Sequence, residues 1–174
     1  MLVGILSDSH DNLPAVEAAA HKLRERSVEL VLHAGDIIAP FVAPVLAKCG
    51  AHVFAVYGNN DGERAGLRKR FKEIGELKGD VAELEIGGRM AVVYHGHESV
   101  LAESLVASGK YDLVVLGHTH KPEVVKREQE LALQQIGGSS LTRLSEVFVS
   151  WNRPHKLTAN FDLRFDQQAP RDWE

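Results

Sequence analysis

Residues 2–26 read LVGILSDSHDNLPAVEAAAHKLRER, and this stretch decides the fold class. Leu2 to Leu6 is an apolar run of strand length, and the polar group Asp8-Ser9-His10 follows it. From Leu13 to Arg26 the apolar residues recur at the spacing of one helical face, with Asn12 placed to cap the helix. The stretch therefore predicts a β-strand followed directly by an α-helix.

Two further units of the same kind follow in the first half of the chain. Their predicted elements are the strand Glu29 to His33, the helix Phe41 to Cys49 ended by Gly50, the strand His52 to Val56 and the helix Glu63 to Ile74 closed by Gly75. Alternation of short apolar runs with helices is typical of layered α/β folds.

The pattern changes after Gly79, where strands dominate. The pair Gly87-Gly88 stands between two strands and is a strong hairpin signal. The predicted elements are strands Val81 to Ile86 and Arg89 to Tyr94, helix Ser99 to Ser108, strand Leu113 to Leu116, and strands Glu123 to Lys126, Leu131 to Ile136, Val147 to Trp151 and Leu157 to Leu163. The whole predicts two packed sheets, the second partly antiparallel, with helices outside them.

The length of 174 residues corresponds to one domain, which we place at residues 1–166 with a polar tail at 167–174. The formal net charge of −4 argues against a dedicated nucleic-acid surface, because proteins that bind nucleic acids generally carry an excess of Lys and Arg. Cys49 is the single cysteine, which favours a reducing compartment. No apolar run reaches the length of a membrane span, so we expect a cytoplasmic protein without a membrane partner.

Five predicted strands end in polar residues of the kinds that bind metals. The groups are Asp8-Ser9-His10, Gly35-Asp36, Gly58-Asn59-Asn60-Asp61, His95-Gly96-His97 and Gly117-His118-Thr119-His120. Open α/β sheets bind ligands at the carboxyl ends of their strands, so we expect the five loops to converge on one crevice.

The residue types in these groups favour a transition metal. Imidazole nitrogen together with carboxylate oxygen suits Mn²⁺, Fe or Zn²⁺, whereas Ca²⁺ and Mg²⁺ prefer oxygen alone. Two ions need a bridging carboxylate, and Asp36 is well placed to be one because Gly35 lets the backbone come close. Taken singly, Asp8-Ser9-His10 is equally compatible with a capping turn, whereas His118 and His120, two residues apart after a buried strand, favour a metal.

In order along the chain the motifs are D-x-H, GD, GNxD, HGH and GHTH, spanning Leu2 to about Arg143. This order resembles the calcineurin-like metallophosphoesterases, and the small size is similar to their single-domain YfcE-like phosphodiesterase branch. The resemblance implies an α/β fold, a four-layer α/β/β/α sandwich of two mixed sheets flanked by helices.

The resemblance also implies a set of site residues. One metal would be bound by Asp8, His10 and His120, the second by Asn59, His95 and His118, with Asp36 bridging the two. His95 is preferred to His97 because the ligand of the family directly follows the strand, and His97 then lies beside the site or faces the substrate. The implied cofactors are two divalent ions, Mn²⁺ foremost, with Ni, Fe or Zn as alternatives.

The implied activity is metal-dependent hydrolysis of a small phosphate ester, a phosphodiester rather than a monoester, by attack of a metal-bridging hydroxide. Many family members have a histidine after the ligand asparagine that protonates the leaving group, and here that position is Asn60. Expulsion of the leaving group would then depend on its own acidity, on His97 or on water. The alternative is a catalytically weak or inactive scaffold for protein interaction, and a homo-oligomer is possible in either case.

Three further features allow more than one interpretation. Ile136-Gly137-Gly138-Ser139 keeps only half of the NPGS motif of the branch, so it is either a glycine-rich turn or a substrate contact. His33 either supports the site or is a satisfied core histidine. A cluster of cations on the third predicted helix is either a solvated helix face or a binding patch: Arg68, Lys69, Arg70 and Lys72. The solvated face is favoured, because the acidic residues Glu63 and Glu73 flank the cluster.

Overall fold

The computed structural model describes residues 1–120 with their side chains and, beyond them, the backbone of four strands. The helices are α1 (Leu13–Glu25), α2 (Val42–Leu46), α3 (Arg64–Phe71) and α4 (Ser99–Ala107), and α2 continues into a 3₁₀ turn at Ala47–Cys49. The strands are β1 (Leu2–Leu6), β2 (Leu30–His33), β3 (His52–Ala55), β4 (Gly75–Leu77), β5 (Val81–Ile86), β6 (Arg89–Tyr94), β7 (Leu113–Leu116), β8 (Glu123–Arg127), β9 (Glu130–Gln134), β10 (Val147–Asn152) and β11 (Lys156–Phe161).

These strands form two mixed sheets. The first has the order β11-β10-β1-β2-β3-β4, in which β1 to β4 run parallel and β10 pairs antiparallel with β1. The second has the order β5-β6-β7-β9-β8, in which β6, β7 and β9 run parallel. Because parallel strands end at the same edge of a sheet, the loops after β1, β2 and β3 lie side by side, as do those after β6 and β7.

Three hydrophobic clusters join the sheets and helices into four layers. Leu23 and Phe71 belong to the cluster between the first sheet and the helices α1, α2 and α3. Ile5 and Val93 belong to the cluster between the two sheets. Ala102 belongs to the cluster between the second sheet and α4. The predicted α/β/β/α sandwich of two mixed sheets is confirmed.

Local sequence features explain several element boundaries. Asn12 caps α1 as predicted, since its Oδ1 accepts a hydrogen bond from the backbone N–H of Ala15 over 3.2 Å. The hairpin between β5 and β6 has the predicted bounds, and Gly87 and Gly88 take φ values of 58° and 81°, which a type I′ turn requires. No helix in the described part combines the length and the hydropathy of a membrane span. The predicted tail at 167–174 and the motif at 136–139 lie outside the described residues.

The predicted end of the third helix at Gly75 is wrong. Helix α3 ends at Phe71, and Gly75 begins β4 instead. A Cβ atom at Gly75 would lie 1.9 Å from the carbonyl oxygen of Val53 on β3, so glycine allows the close approach of the two strands. An edge strand of three residues is too short to show a period-two pattern, which explains why the sequence does not predict it.

Candidate metal centre

The turns that follow the strands have an uncommon backbone conformation. Eight non-glycine residues of the described part have a positive φ, and five of them are predicted ligands: Asp8, His10, Asp36, His118 and His120. Left-handed backbone is disfavoured for residues with a Cβ atom, and where it occurs it is concentrated at functional sites. Asp and His adopt this conformation more readily than most residues, so the turns after β1, β2 and β7 suit the ligand-type residues that occupy them.

Five side chains from the loops after β1, β2, β6 and β7 meet in one cluster. Oδ2 of Asp36 lies 3.4 Å from Nε2 of His10 and 3.4 Å from Nε2 of His95. Oδ1 of Asp8 lies 3.3 Å from Nε2 of His120, 3.7 Å from that of His10 and 3.9 Å from that of His95. The donor atoms form two overlapping sets, one of Asp8, His10 and His120 and one of Asp8, Asp36 and His95, each within 4.8 Å. Each set has the donor types that transition metals take.

Three buried atoms of this cluster test whether a metal fits. Oδ1 of Asp8, Nε2 of His10 and Nε2 of His95 have no hydrogen-bond partner within the described residues. A buried polar atom without a hydrogen-bond partner lowers the stability of the fold by about 1–3 kcal/mol, so such atoms are rare in native proteins. Each of the three atoms belongs to one or both of the two donor sets, and divalent ions bound by these sets would satisfy all of them. The residues present therefore fit the metal that the motifs predict.

The electrostatics of the cluster keep its carboxylates charged, as metal ligands must be. Burial by itself raises the pKa of Asp36, but His95 and the N–H groups of Asn60 outweigh it and hold that pKa well below its usual range. Burial likewise opposes ionisation of Asp8, and His10, Ser7 and His95 together lower its pKa.

Two imidazoles of the cluster, those of His10 and His95, have pKa values that are raised. Asp8 raises the pKa of His10. Burial lowers the pKa of His95, but Asp36 and Asp8 outweigh it and the net shift is upward. A metal ligand must be a neutral imidazole, so metal binding at these residues competes with protons.

Hydrogen bonds from outside the cluster fix the orientation of its donor atoms. Nδ1 of His95 donates to the carbonyl oxygen of Ala34 over 2.8 Å, which directs the lone pair of Nε2 toward the cluster. Oδ2 of Asp8 accepts from the Ser7 hydroxyl over 2.5 Å and from the backbone N–H of His118 over 3.1 Å. Oδ1 of Asp8 is thereby left facing the imidazoles.

The two asparagines of the loop after β3 are placed differently. Asn60 donates from Nδ2 to Oδ2 of Asp36 over 2.6 Å, and its backbone N–H donates to Oδ1 over 2.9 Å. Asn59 is exposed, and its side chain makes no hydrogen bond or ion pair with the described residues. Asn59 as a ligand therefore stays a prediction.

The remaining histidines of the motifs lie against the cluster. The ring of His118 stands edge-on to that of His95 with 5.2 Å between centroids, and the ring of His97 lies 5.8 Å from His95. Nδ1 of His97 is buried and has no hydrogen-bond partner in the described part of the chain. Within the cluster itself, the ring of His120 lies 5.3 Å from that of His10. The candidate histidines are thus brought together, and their individual roles stay predictions.

Asp61 has no predicted role in the sequence, yet it joins two of the loops. Its buried carboxylate accepts hydrogen bonds from the backbone N–H groups of Gly58, Asp36 and Ile38 over 2.7, 3.0 and 2.6 Å. Burial raises the pKa of Asp61 against these hydrogen bonds. The GNxD pattern could have drawn attention to this residue, but Asp36 and Ile38 lie 25 and 23 positions away from it and leave no local pattern.

His33 supports the site, which is one of the two interpretations left open by the sequence. Its Nδ1 accepts a hydrogen bond from the backbone N–H of Gly35 over 3.3 Å, so its Nε2 carries the proton and donates to Oγ of Ser9 over 3.2 Å. Complete burial lowers the pKa of His33 to about 4, which keeps the ring neutral. His33 therefore ties the loop after β2 to the Asp8-Ser9-His10 turn.

Glycines let these loops approach one another closely, as predicted for Gly35. A Cβ atom at Gly35, which has a φ of 91°, would lie 2.6 Å from the backbone nitrogen of Gly58. A Cβ atom at Gly58 would in turn lie 2.1 Å from Oδ1 of Asp36. Both contacts are too short for any larger residue, so the pair of glycines sets the distance between the loops after β2 and β3.

Comparison with known proteins identifies the family. Residues 1–144, most of the chain, match the calcineurin-like phosphoesterase superfamily domain. The chain belongs to the calcineurin-like phosphoesterase superfamily. Within it, 123 residues are 39% identical to a phosphodiesterase of Methanocaldococcus jannaschii, a match that covers 70% of this chain and 74% of that protein. The family predicted from the motif order is confirmed.

Solved structures support the same assignment. The structure of an archaeal phosphodiesterase, 30% identical in sequence, superimposes with a TM-score of 0.82 over 92% of this chain and 99% of that one. Vacuolar protein sorting 29 from Cryptosporidium parvum shares the fold at 20% identity, with a TM-score of 0.66 over 91% of this chain and 95% of that one. As a member of the calcineurin-like phosphoesterases the protein is a hydrolase of metallophosphoesterase type, and the family implies divalent metal ions.

Proposed function

We propose that this protein is a phosphodiesterase that hydrolyses a small phosphate ester and works with two divalent ions, Mn²⁺ foremost. The proposed ligands are Asp8, His10, Asp36, Asn59, His95, His118 and His120. One observation carries the proposal: Oδ2 of Asp36 lies 3.4 Å from Nε2 of both His10 and His95, which belong to different donor sets. A carboxylate between two imidazoles is placed to bridge two ions.

The mixed donor set is the reason for favouring Mn²⁺ and its neighbours in the first transition row over Mg²⁺ or Ca²⁺. When bound, divalent ions lower the pKa of a water molecule, so that it attacks phosphorus as hydroxide, and they offset the charge of the phosphoryl oxygens. A diester is favoured as the substrate by the name of the Methanocaldococcus jannaschii relative.

The residues around the ions have separate tasks in this proposal. Asn60 holds both oxygens of Asp36 in place through its two N–H groups. Ser7 and the backbone of His118 hold one oxygen of Asp8, which directs the other toward the imidazoles. Orientation of this kind typically changes metal affinity or activity 10- to 100-fold.

In this proposal no imidazole at position 60 protonates the leaving oxygen, so the proton has to come from His97 or from water. Nδ1 of His97 is buried and unpaired within the described residues, and the ring lies between Tyr94 and the histidines of the cluster. The amide of Asn60 cannot supply a proton at neutral pH. We therefore expect the rate to depend strongly on the acidity of the leaving alcohol.

Metal content and diester hydrolysis, measured on the same samples, test the proposal. Wild-type protein equilibrated with Mn²⁺ should carry two ions per chain by elemental analysis and should hydrolyse bis(p-nitrophenyl) phosphate. Asp36→Asn should carry fewer ions and lose at least about 100-fold in rate, because it removes the bridging charge.

Asp112→Asn is the matched control. Asp112 directly precedes β7 and pairs with Arg89, at the edge of the sheet opposite the metal centre, so its substitution should leave the metal content at two ions. Equal rates for wild type and Asp36→Asn would overturn the mechanism. A folded wild-type protein that takes up no metal would favour the interaction scaffold instead.

A further inference from the structure

Helix α3 carries a row of cationic side chains that begins beside the metal centre. Arg64, Arg68 and Lys72 are spaced four residues apart, so they lie on one side of the helix, and Lys69 is adjacent to them. At 1.5 Å per residue the row extends about 12 Å along the helix axis.

The four side chains, all exposed, line one open cavity of about 500 Å³ at the protein surface, and the other lining residues are Tyr57, Ala65, Gly79 and Asp80. Asp80 is the single carboxylate among these lining residues, and it pairs with Arg64 over 2.9 Å. Arg68, Lys69 and Lys72 have no carboxylate partner in the part of the chain that the structure describes. A protein of net charge −4 thus has a local excess of three positive charges in one cavity.

Arg70 shows what an ordinary surface cation looks like on the same helix. It pairs with Glu73 over 3.3 Å and does not line the cavity. The sequence analysis favoured a solvated helix face for the cations at positions 68, 69, 70 and 72, and Arg70 fits that interpretation. Arg68, Lys69 and Lys72 differ from it, because they share one concave space and leave their charges uncompensated.

The cavity adjoins the metal centre through residues 57–61. Nε of Arg64 donates to the carbonyl oxygen of Asp61 over 3.3 Å, and the guanidinium of Arg64 lies 4.6 Å from the ring centroid of Tyr57. The carboxylate of the same Asp61 holds the backbone N–H of Asp36. One short loop thus contacts the metal-binding residues on one side and the cavity on the other.

We propose that this cavity is a substrate subsite that binds a second phosphate group, separate from the one that is cleaved. This inference rests on the proposed function and narrows its substrate class to small phosphodiesters that carry a further phosphate. A phosphate matches the cavity because Arg offers two parallel N–H donors to its oxygens and Lys adds a compact charge. A neutral substituent would gain nothing from the three uncompensated cations.

Two esters with one leaving group test the subsite: thymidine 5′-(p-nitrophenyl phosphate) and its 3′-phosphorylated form. They share the cleaved bond and differ by a single phosphate. The Mn²⁺-loaded wild type should favour the 3′-phosphorylated ester by about tenfold in kcat/KM at low salt, mainly through KM, because an added binding contact acts on the ground state as well as the transition state. The preference should shrink as ionic strength rises, since salt screens exposed charges.

The ratio of the two kcat/KM values is then measured in variants of α3. The triple variant R68Q/K69Q/K72Q should bring the ratio close to 1, whereas Arg70→Gln on the same helix should keep the wild-type ratio. A wild-type ratio near 1 would overturn the subsite. A tenfold ratio that persists in the triple variant would also overturn it, because the phosphate would then be bound elsewhere.

A calorimetric titration separates failure of the subsite from failure of the proposed function. If neither ester is hydrolysed, the phosphodiesterase proposal fails, and the same two esters are titrated into the Mn²⁺-loaded protein. A stronger affinity for the 3′-phosphorylated ester that is lost in R68Q/K69Q/K72Q and kept in Arg70→Gln supports the subsite by itself. Equal affinities for the two esters in the wild type would overturn it.

Discussion

The side-chain amide of Asn60 donates a hydrogen bond to the carboxylate of Asp36, with 2.6 Å between Nδ2 and Oδ2. The backbone N–H of Asn60 donates to the other oxygen of Asp36 over 2.9 Å. The family pattern that the motifs resemble has a histidine at this position, where it would act on the leaving group. In this chain we expect Asn60 to act on Asp36 instead. Substitutions of Asn60 should therefore affect metal binding through Asp36, and proton transfer only where they introduce a proton donor.

Asn60→Ala should weaken Mn²⁺ binding about tenfold, because outer hydrogen bonds to metal ligands typically contribute 10- to 100-fold. Asn59→Ala should weaken it further, since it removes a proposed ligand and not a hydrogen bond to one. Competition titration with a fluorescent chelator measures both dissociation constants. Wild-type affinity in Asn59→Ala would show that Asn59 is not a ligand.

Asn60→His should make hydrolysis less sensitive to the leaving group. An imidazole at this position can donate a proton, whereas the amide cannot, and general acids typically contribute 10²–10⁴-fold. The measurement is a series of aryl diesters with leaving phenols of rising pKa, compared between wild type and variant. We expect a shallower dependence of log kcat/KM on phenol pKa in Asn60→His, and an identical slope would contradict proton donation from this position.

Asp61→Asn should destabilise the fold by about 2 kcal/mol, because an amide cannot accept all three of the backbone hydrogen bonds that the buried carboxylate accepts. The free energy of unfolding in urea measures the loss. Asp80→Asn removes an exposed carboxylate and should stay within about 0.5 kcal/mol of wild type. Equal stability of the two variants would mean that Asp61 does not hold the loops.

His33 makes stability depend on pH in a defined window. Its pKa is about 4 in the folded protein and 6.5 in the reference state, so below pH 6.5 the unfolded chain takes up a proton that the folded chain does not. The stability gained from the neutral ring of His33 is fully present above pH 6.5 and is lost as the pH falls toward 4. It amounts to about 3 kcal/mol, since each unit of pKa shift corresponds to 1.36 kcal/mol.

His33→Gln removes this titration and should therefore make the free energy of unfolding depend less on pH. The free energy of unfolding of the metal-free protein is measured from pH 4 to 7.5 for wild type and variant. The variant should be less stable at pH 7.5, and the difference should narrow toward pH 4. His21→Gln, on the exposed part of α1, controls for loss of an imidazole. A constant gap between His33→Gln and wild type would refute the buried neutral ring.

Gly58→Ala and Gly62→Ala form a matched pair within one loop. A Cβ atom at Gly58 would lie 2.1 Å from Oδ1 and 2.4 Å from the backbone nitrogen of Asp36, whereas a Cβ atom at Gly62 meets nothing within 4 Å. We expect Gly58→Ala to displace Asp36 and to lower both Mn²⁺ content and diester hydrolysis more than tenfold, about the size of a displaced ligand. Gly62→Ala should bind Mn²⁺ as the wild type does. Similar behaviour of the two variants would contradict the close contact at Gly58.

The sequence predicted the strands well where their pattern is local. The bounds of β1, β5, β6 and β7 were obtained to the residue, because apolar runs and the Gly87-Gly88 turn are visible within a few positions. The edge strand that begins at Gly75 was missed because it has only three residues. Nor did the sequence show that β10 joins the first sheet, since that pairing is made over most of the length of the chain.

The site residues could likewise be predicted from local sequence patterns, whereas the contacts between distant residues could not. Asp8, His10, Asp36, His95 and His120 were predicted together from their positions after strands, and the structure brings their donor atoms together. The hydrogen bonds from Asp36 and Ile38 to Asp61, and the link from His33 to Ser9, could not be predicted from the sequence, because each joins residues more than twenty positions apart. The cavity on α3 depends on which cations face Tyr57 and Gly79, and helical spacing alone does not determine this.

Strand β1 pairs with β2 on one side and with β10 on the other, and the two partners differ greatly in sequence distance. The residues paired between β1 and β10 are more than 140 positions apart, so closing that loop costs more entropy and slows folding. During synthesis β1 and β2 can pair long before residues 147–152 emerge, and until then one edge of β1 exposes unpaired backbone groups. Such an edge pairs readily with other chains. The sheet that positions Asp8 and Asp36 thus keeps one open edge in the nascent protein until residues 147–152 are made, and this edge is a site for misassembly with other chains.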